Sequence, residues 1–269
     1  MSQGLEVVTR RTVGVRDIPL VLVAPRRLFA RVEDVTAWGW PLLILLTLVT
    51  LIGYAIVQTG LIDREIQMGI SARKAQIEQT QRDVVERSAL RDLYENEDKQ
   101  GEFDLLLTRI KVVAAEPLKA LAAALLIAAT LYGVVALSGR KPEWHTLLTV
   151  CVYAGFIDAL RLLVTLGLML HYRTLDVDTS LALLVPLWTA SHRVSPTQAA
   201  VASGLLPALD PFRVWYWWVV IVALRTTAQL RGWRAWITCG LCWLAAAGVR
   251  CGVELGAAQM SGGAGPSSA

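Results

Sequence analysis

The sequence predicts an all-α, polytopic membrane protein: a bundle of five transmembrane helices with a long extracytoplasmic helical segment between spans one and two. The first observation is composition, because 55% of the 269 residues are hydrophobic and the mean hydropathy is +0.49. Secondly, the charges fall in blocks between apolar runs, whereas a soluble domain spreads them over its surface. Thirdly, residues 210–256 form two apolar runs around a turn that carries Arg231, Trp233 and Arg234. This pattern is typical of a helical hairpin that crosses a bilayer twice.

The N-terminal segment 1–37 is rich in arginine and is predicted to be cytoplasmic, since arginine near a span end favours that side. Pro25 suits the first position of a helix. Leu28, Phe29 and Val32 then repeat at helical spacing, which predicts an amphipathic helix. Two alternatives remain for this helix: it lies on the inner leaflet of the membrane, or it packs on the protein's own loops.

Three apolar runs follow, and each has the length of about 20 residues that crosses a hydrocarbon core. They occupy residues 40–61, 117–137 and 146–170. Trp38 and Trp40 head the first run, as expected at a membrane interface, and Lys141 follows the second on the predicted cytoplasmic side. Together with two later spans these runs define a membrane domain over residues 38–258.

The polar segment 62–114, between the first two spans, is predicted to be an outer helical loop. A thin apolar stripe runs along it, which indicates a helix that continues out of the membrane. A break is predicted at Tyr94–Gly101, after which Phe103 begins a second amphipathic helix back to the bilayer. The segment is either a docking surface for a partner or a solvated extension that covers the span ends. The candidate docking residues are Arg73, Lys74, Glu78, Arg82 and Glu86.

The C-terminal third supplies the last two spans, at residues 212–230 and 235–256. Before them, residues 176–210 are predicted to form short interfacial helices that seal the outer face, one of which begins at Ser195 and Pro196. The tail 259–269 is predicted to be a flexible, linker-like end. Five spans place the N-terminus in the cytoplasm and the C-terminus outside.

Ionisable residues inside the spans are the sharpest candidates for a functional site. Asp158 and Arg161 are three positions apart and share a helix face. Arg225 lies in the cytoplasmic half of the fourth span. A charge at mid-bilayer costs at least about 2.5–3.5 kcal/mol, so such residues face partners or water. They form either a polar site or proton path, or an ion pair that fixes helix packing.

No catalytic constellation, cofactor site or metal site is predicted. Cys239 and Cys242 have the C-x-x-C spacing, but they lie in an apolar helix without a second pair, where small residues serve helix packing. The histidines His145, His171 and His192 fall on different sides of the predicted membrane. The net charge of +4 does not indicate nucleic-acid binding, because the basic residues mark the cytoplasmic face of a membrane protein.

Three stretches resemble the Yip family, multi-spanning proteins named for interacting with Ypt/Rab GTPases, in its bacterial form. They are 23–29 (VAPRRLF), 144–153 (WHTLLTVCVY) and 210–215 (DPFRVW), the last followed by a span and Arg234. The resemblance covers residues 20 to 256 and implies five spans, a cytoplasmic N-terminus and no enzymatic activity. Eukaryotic members carry Asp-Leu-Tyr-Gly-Pro in the cytoplasmic N-terminal region. Here Asp92-Leu93-Tyr94 is followed by Glu95 in the outer loop, so Rab binding is not carried over.

Some bacterial relatives accompany ABC-type exporters, which leads to the first functional hypothesis. It describes a non-catalytic accessory or scaffold subunit of a membrane transport complex in the bacterial inner membrane. Its partners are the lipid bilayer, other membrane-protein subunits such as exporter components, and further copies of the chain. The alternative hypothesis is a small proton- or solute-coupled carrier that uses Asp158 and Arg161.

Overall fold

The computed structural model describes residues 14–32, 38–81, 87–139, 141, 143–175, 177, 179–180, 201, 210–227 and 233–262. All regular secondary structure in these ranges is helical. A 3-10 turn, Val15–Asp17, precedes the first helix, and a π-helical turn, Lys111–Ala115, lies between α5 and α6. The helices are α1 (Ile18–Val23), α2 (Pro25–Phe29), α3 (Gly39–Gln58), α4 (Leu61–Gln81), α5 (Arg87–Ile110), α6 (Glu116–Leu137), α7 (Trp144–Tyr172), α8 (Pro211–Thr226) and α9 (Trp233–Gly262).

Three helices in the described part are long and apolar enough to cross a membrane: Gly39–Gln58, Leu90–Leu137 and Trp144–Tyr172. They overlap the first three predicted spans, of which the first, 40–61, extends beyond the end of its helix at Gln58. The prediction of an all-helical integral membrane protein is confirmed. The helix α8 has 16 residues and is about 24 Å long, somewhat shorter than a hydrocarbon core of about 30 Å. The count of five spans therefore stays a prediction.

The chain divides into two compact units. The first unit comprises Met1–Leu45, Ala122–Arg161 and Asp178–Ala269, and the second comprises Leu46–Leu121 and Leu162–Val177. In the first unit, α7 is buried without interruption over residues 147–154, and α8 over residues 219–224. Helices that are buried on all sides form the interior of a bundle, so these two segments are the core of that unit.

The N-terminal segment also belongs to the core of the first unit. Val21, Leu28 and Phe29 are buried, and α2 contacts α8. The hydroxyl of Tyr153 donates a hydrogen bond of 3.0 Å to the carbonyl oxygen of Gly14. The apolar face of this segment is therefore covered by a helix of the protein. Residues 1–13 lie outside the described ones.

In the second unit, α4 and α5 pack side by side as a helical hairpin. The chain leaves α3 through Gly60, whose φ of +69° favours glycine. The two helices are antiparallel, and α4 ends at Gln81 whereas α5 begins at Arg87. The break predicted at Tyr94–Gly101 is wrong, because these residues lie inside α5. Gly101 is tolerated there since it packs against Ile70, where a larger side chain would collide with that residue.

The helix α3 comes unusually close to the π-helical turn within the second unit. A Cβ atom added at Gly53 would lie 2.5 Å from the carbonyl oxygen of Val112. Only a residue without a side chain allows this approach between two backbones. The turn also links α5 to α6 without a break, so the hairpin continues directly into an apolar helix.

Candidate functional site

A buried ion pair joins two apolar helices of the first unit. The guanidinium of Arg161 on α7 lies 3.1 Å from the Oδ2 atom of Asp210, and the Asp210 side chain is 0% exposed. The hydroxyl of Thr179 donates to the same oxygen at 2.9 Å. The second oxygen accepts from the backbone N–H of Phe212 at 2.8 Å. The carboxylate thus has donors on both oxygens, as a buried charge requires.

The local sequence explains why Asp210 is in this position. Its extended backbone precedes α8, and its side chain caps the helix N-terminus. Aspartate is a preferred cap because it accepts a hydrogen bond from an otherwise unpaired N–H group. Pro211 suits the first turn, where its missing N–H costs nothing. The positive end of the helix dipole further favours the carboxylate.

The structure separates Arg225 from Asp158 and Arg161, the other two residues that the sequence predicts to lie inside spans. Arg161 belongs to the ion pair, and Asp158 lies one turn before it on α7. Arg225 is exposed and lies 15 positions after Asp210 on α8, which is about 22 Å along the helix. Arg225 is therefore not brought together with Arg161.

Sequence reasoning missed Asp210 as the partner of Arg161. The available signal is the pair Asp210-Pro211, which marks a helix start but does not identify a charge partner. The two members of the ion pair are 49 positions apart. Only the packing of α7 against the start of α8 brings them together.

Two of the five predicted docking residues of the outer segment, Arg73 and Lys74, form ion pairs across the hairpin itself. The ammonium of Lys74 lies 2.6 Å from Asp98 and above the ring of Tyr94. Arg73 pairs with Glu97 at 3.7 Å. Further along, Arg109 binds Asp63 at 2.7 Å. Glu78 also lies on α4, whereas Arg82 and Glu86 are outside the described residues. Arg73 and Lys74 therefore bind α5 within the hairpin.

The other face of α5 carries exposed apolar side chains. Phe103, Leu106 and Ile110 are 61%, 55% and 53% exposed. They recur at intervals of three and four residues, so they lie on one side of the helix. We call these three residues the α5 stripe. The sequence analysis made Phe103 the start of an amphipathic helix that leads back to the bilayer, and the structure places all three residues in α5, before the π-helical turn.

The cysteines are thiols in the described structure, and Cys151, Cys239 and Cys242 are buried. Within the described ranges, no group of three or more His, Cys, Asp or Glu residues has an arrangement that could hold a metal ion. His192 and the predicted helix start at Ser195 lie outside those ranges.

A comparison with curated proteins and one with solved structures found no match. The family model of the Yip1 domain, however, matches residues 20–249. This range includes the amphipathic segment around Phe29, the buried part of α7, the Arg161–Asp210 ion pair and the whole α4–α5 hairpin. The match covers most of the chain, and the chain therefore belongs to the Yip1 domain family.

Proposed function

We propose that this protein is a non-catalytic accessory or scaffold subunit of a membrane transport complex, such as an ABC-type exporter, in a bacterial inner membrane. Family membership and the three apolar helices support a membrane role. The observation that carries the proposal is the α4–α5 hairpin, a polar element built directly onto apolar helices. The predicted topology, with a cytoplasmic N-terminus, would present this hairpin on the extracytoplasmic side.

The contacts within the hairpin favour a rigid docking surface over a solvated extension that only covers the span ends. Ion pairs connect α4 and α5 at Asp63–Arg109, Arg73–Glu97 and Lys74–Asp98, and the Ile70–Gly101 contact lies between them. Each exposed pair contributes no more than about 1 kcal/mol. The set nevertheless fixes one register between the helices. A surface with one arrangement binds a partner at a lower entropic cost than a mobile loop.

Co-purification from the native membrane tests this proposal. The tagged chain would be solubilised in mild detergent and recovered, and the accompanying proteins identified by mass spectrometry. We expect a stoichiometric transport component, such as an ATPase or an extracytoplasmic adaptor. Recovery of no other protein under conditions that preserve known membrane complexes would contradict the accessory role.

A shortened hairpin locates the contact. Replacing residues 73–101 by a short Gly/Ser linker removes the distal part of both helices and joins positions that lie near each other across the hairpin. Partner recovery should be lost while membrane insertion is retained. The matched control is Lys99→Ala, which changes one exposed side chain on α5 and should leave recovery unchanged. Full recovery by the shortened chain would count against the hairpin as the docking element.

The carrier hypothesis, which uses Asp158 and Arg161, is the second candidate, because Arg161 pairs with the buried carboxylate of Asp210 and Asp158 lies one turn before Arg161 on α7. Proton- or solute-coupled carriers use such intramembrane charges. Asp158→Asn in a transport assay separates this hypothesis from the accessory role. A carrier that uses Asp158 should lose coupled transport, whereas transport with normal kinetics in this variant would rule the residue out.

A further inference from the structure

We infer that the N-terminal helices bind anionic lipid headgroups at the membrane surface through a basic face. This face consists of Val23 at the end of α1 and of Arg26 and Arg27 in α2. The inference goes beyond the accessory role, because a surface that binds lipid is separate from any surface that docks on another subunit. It rests on the two sides of α2, on the charge of the segment, and on the place of the segment beside the apolar helices.

The helix α2 has a covered side and an uncovered side. Pro25, Leu28 and Phe29 are buried, and α2 contacts α8. At 100° per residue, Arg26 and Arg27 lie on the opposite side of the helix, and both are exposed. The apolar side of α2 is therefore used for packing within the protein, and its two guanidinium groups are presented at the surface.

The charge of this segment is positive. Asp17 is the only acid between residues 14 and 32. Its carboxylate lies 3.6 Å from the guanidinium of Arg31 and accepts a hydrogen bond of 3.0 Å from the backbone N–H of Gly14. Arg16 is exposed as well. Four arginines and one acid give residues 14–32 a net charge of +3, so the segment attracts anions.

The segment lies beside the start of an apolar helix. The indole N–H of Trp38, directly before α3, donates to Nδ1 of His145 on the first turn of α7 at 3.4 Å. Tryptophan favours the headgroup level, so this contact marks one surface of the membrane. Tyr153, within the first three turns of α7, donates to the carbonyl oxygen of Gly14. The N-terminal segment therefore lies at the end of α7 that the predicted topology places on the cytoplasmic side.

The exposed valine favours lipid over a soluble anion as the partner. Val23 is 84% exposed and lies three positions before Arg26. At a membrane surface, an apolar side chain enters the boundary of the acyl chains while neighbouring basic side chains bind the headgroups. A guanidinium can form two parallel hydrogen bonds to a phosphate. A soluble phosphate compound would satisfy the arginines but would leave Val23 in water.

Thermal unfolding of the full-length chain in detergent tests the headgroup preference. The protein is titrated with short-chain phosphatidylglycerol, with phosphatidylcholine of the same chain length, or with inorganic phosphate. A ligand that binds the folded state raises the melting temperature. We expect a larger rise with phosphatidylglycerol than with phosphatidylcholine, and no rise with inorganic phosphate at the same concentration.

The double variant Arg26→Gln with Arg27→Gln locates the binding. Each basic residue near an anionic leaflet strengthens the attraction about fivefold, so the variant should bind phosphatidylglycerol at least about fivefold more weakly. Both side chains are exposed, and an unchanged melting temperature without lipid verifies the fold. The matched control is Arg91→Gln with Lys99→Gln, which removes two exposed charges from α5 and should leave the affinity unchanged.

Three results would overturn the inference. The first is an equal rise of the melting temperature with both lipids. The second is an equal loss of affinity in the two double variants, which would reduce the effect to overall charge. The third is a rise with inorganic phosphate as large as that with phosphatidylglycerol, which would assign the arginines to a soluble phosphate compound.

A fluorescent reporter at Val23 measures the lipid contact directly. Val23→Cys, in a background without the native cysteines, is labelled with an environment-sensitive dye in liposomes of phosphatidylcholine with or without phosphatidylglycerol. Phosphatidylglycerol should shift the emission to shorter wavelength, and high salt or the double variant Arg26→Gln with Arg27→Gln should reverse the shift. The same dye at Lys99→Cys on the hairpin should report water in both liposomes. An emission at Val23→Cys that depends neither on phosphatidylglycerol nor on the two arginines would refute the lipid contact.

Discussion

At the scale of single residues, Asp210 shows how a charge is accommodated among apolar helices. Its two oxygens accept from Arg161, Thr179 and the N–H of Phe212. Each donor comes from a different segment, so the carboxylate connects α7, the segment after it and the start of α8. Burying an ion pair is close to neutral in free energy, but removing one member leaves an uncompensated charge. The pair therefore specifies how these segments pack.

We expect Asp210→Asn to lower the free energy of unfolding by about 1–3 kcal/mol, because it removes the buried negative charge that the partly exposed guanidinium of Arg161 contacts. Asparagine still caps a helix, so Asp210→Ala should cost about 1 kcal/mol more. Thermal unfolding in detergent, followed by tryptophan fluorescence, measures both effects.

The control is Thr179→Val, which removes one hydrogen bond and should cost about 1 kcal/mol. Arg161→Met combined with Asp210→Asn removes both charges and should be more stable than Asp210→Asn alone. Strictly additive losses in the double variant would show that the two side chains do not interact.

At the scale of secondary-structure elements, the second unit is organised by one close helix approach. The π-helical turn Lys111–Ala115 places the carbonyl of Val112 against Gly53 of α3. Such turns insert an extra residue into a helix and shift the faces of the segments on either side. The side of α5 that contacts α4 therefore does not continue in phase into α6.

Gly53→Ala should destabilise the protein by about 1–3 kcal/mol, because the new methyl group meets a backbone carbonyl that moves only with its helix. Gly69→Ala on α4 is the matched control, since its Cβ would have no neighbour within 4 Å. That substitution should stabilise the protein by up to about 1 kcal/mol through helix propensity. The same unfolding assay measures whether each substitution raises or lowers the stability of the protein. A Gly53→Ala variant as stable as Gly69→Ala would contradict the close approach.

The elements also show what local sequence can and cannot predict. Apolar runs of span length are local signals, and α3, α6 and α7 were predicted from them. Polar residues and a glycine at 94–101 resemble a loop, but α5 continues through them because α4 supplies partners for Glu97 and Asp98. Likewise, the spacing of Leu28 and Phe29 predicts an apolar face but not which helix packs against that face. Pairings between distant segments are tertiary, and a single sequence does not encode them locally.

At the scale of the whole molecule, the class of protein follows from composition, whereas the number of spans depends on two helices. The helix α8 is short for a span, and it is buried by protein on several sides. The helix α9 has 30 residues, enough to cross a bilayer at about 1.5 Å per residue. If both cross, the connection between them is cytoplasmic and the C-terminus is outside.

Cysteine labelling of intact cells decides this topology. In a background with all four native cysteines replaced by alanine, an impermeant thiol reagent should label Lys99→Cys on the hairpin and Ser268→Cys in the tail. It should label Lys141→Cys, after α6, and Gln229→Cys, between α8 and α9, only once the membrane is permeabilised. The positive-inside rule gives the reason, since basic residues cluster beside both protected positions. If Gln229→Cys were labelled in intact cells together with Ser268→Cys, α8 and α9 would not cross. The bundle would then have three spans, with the hairpin still outside.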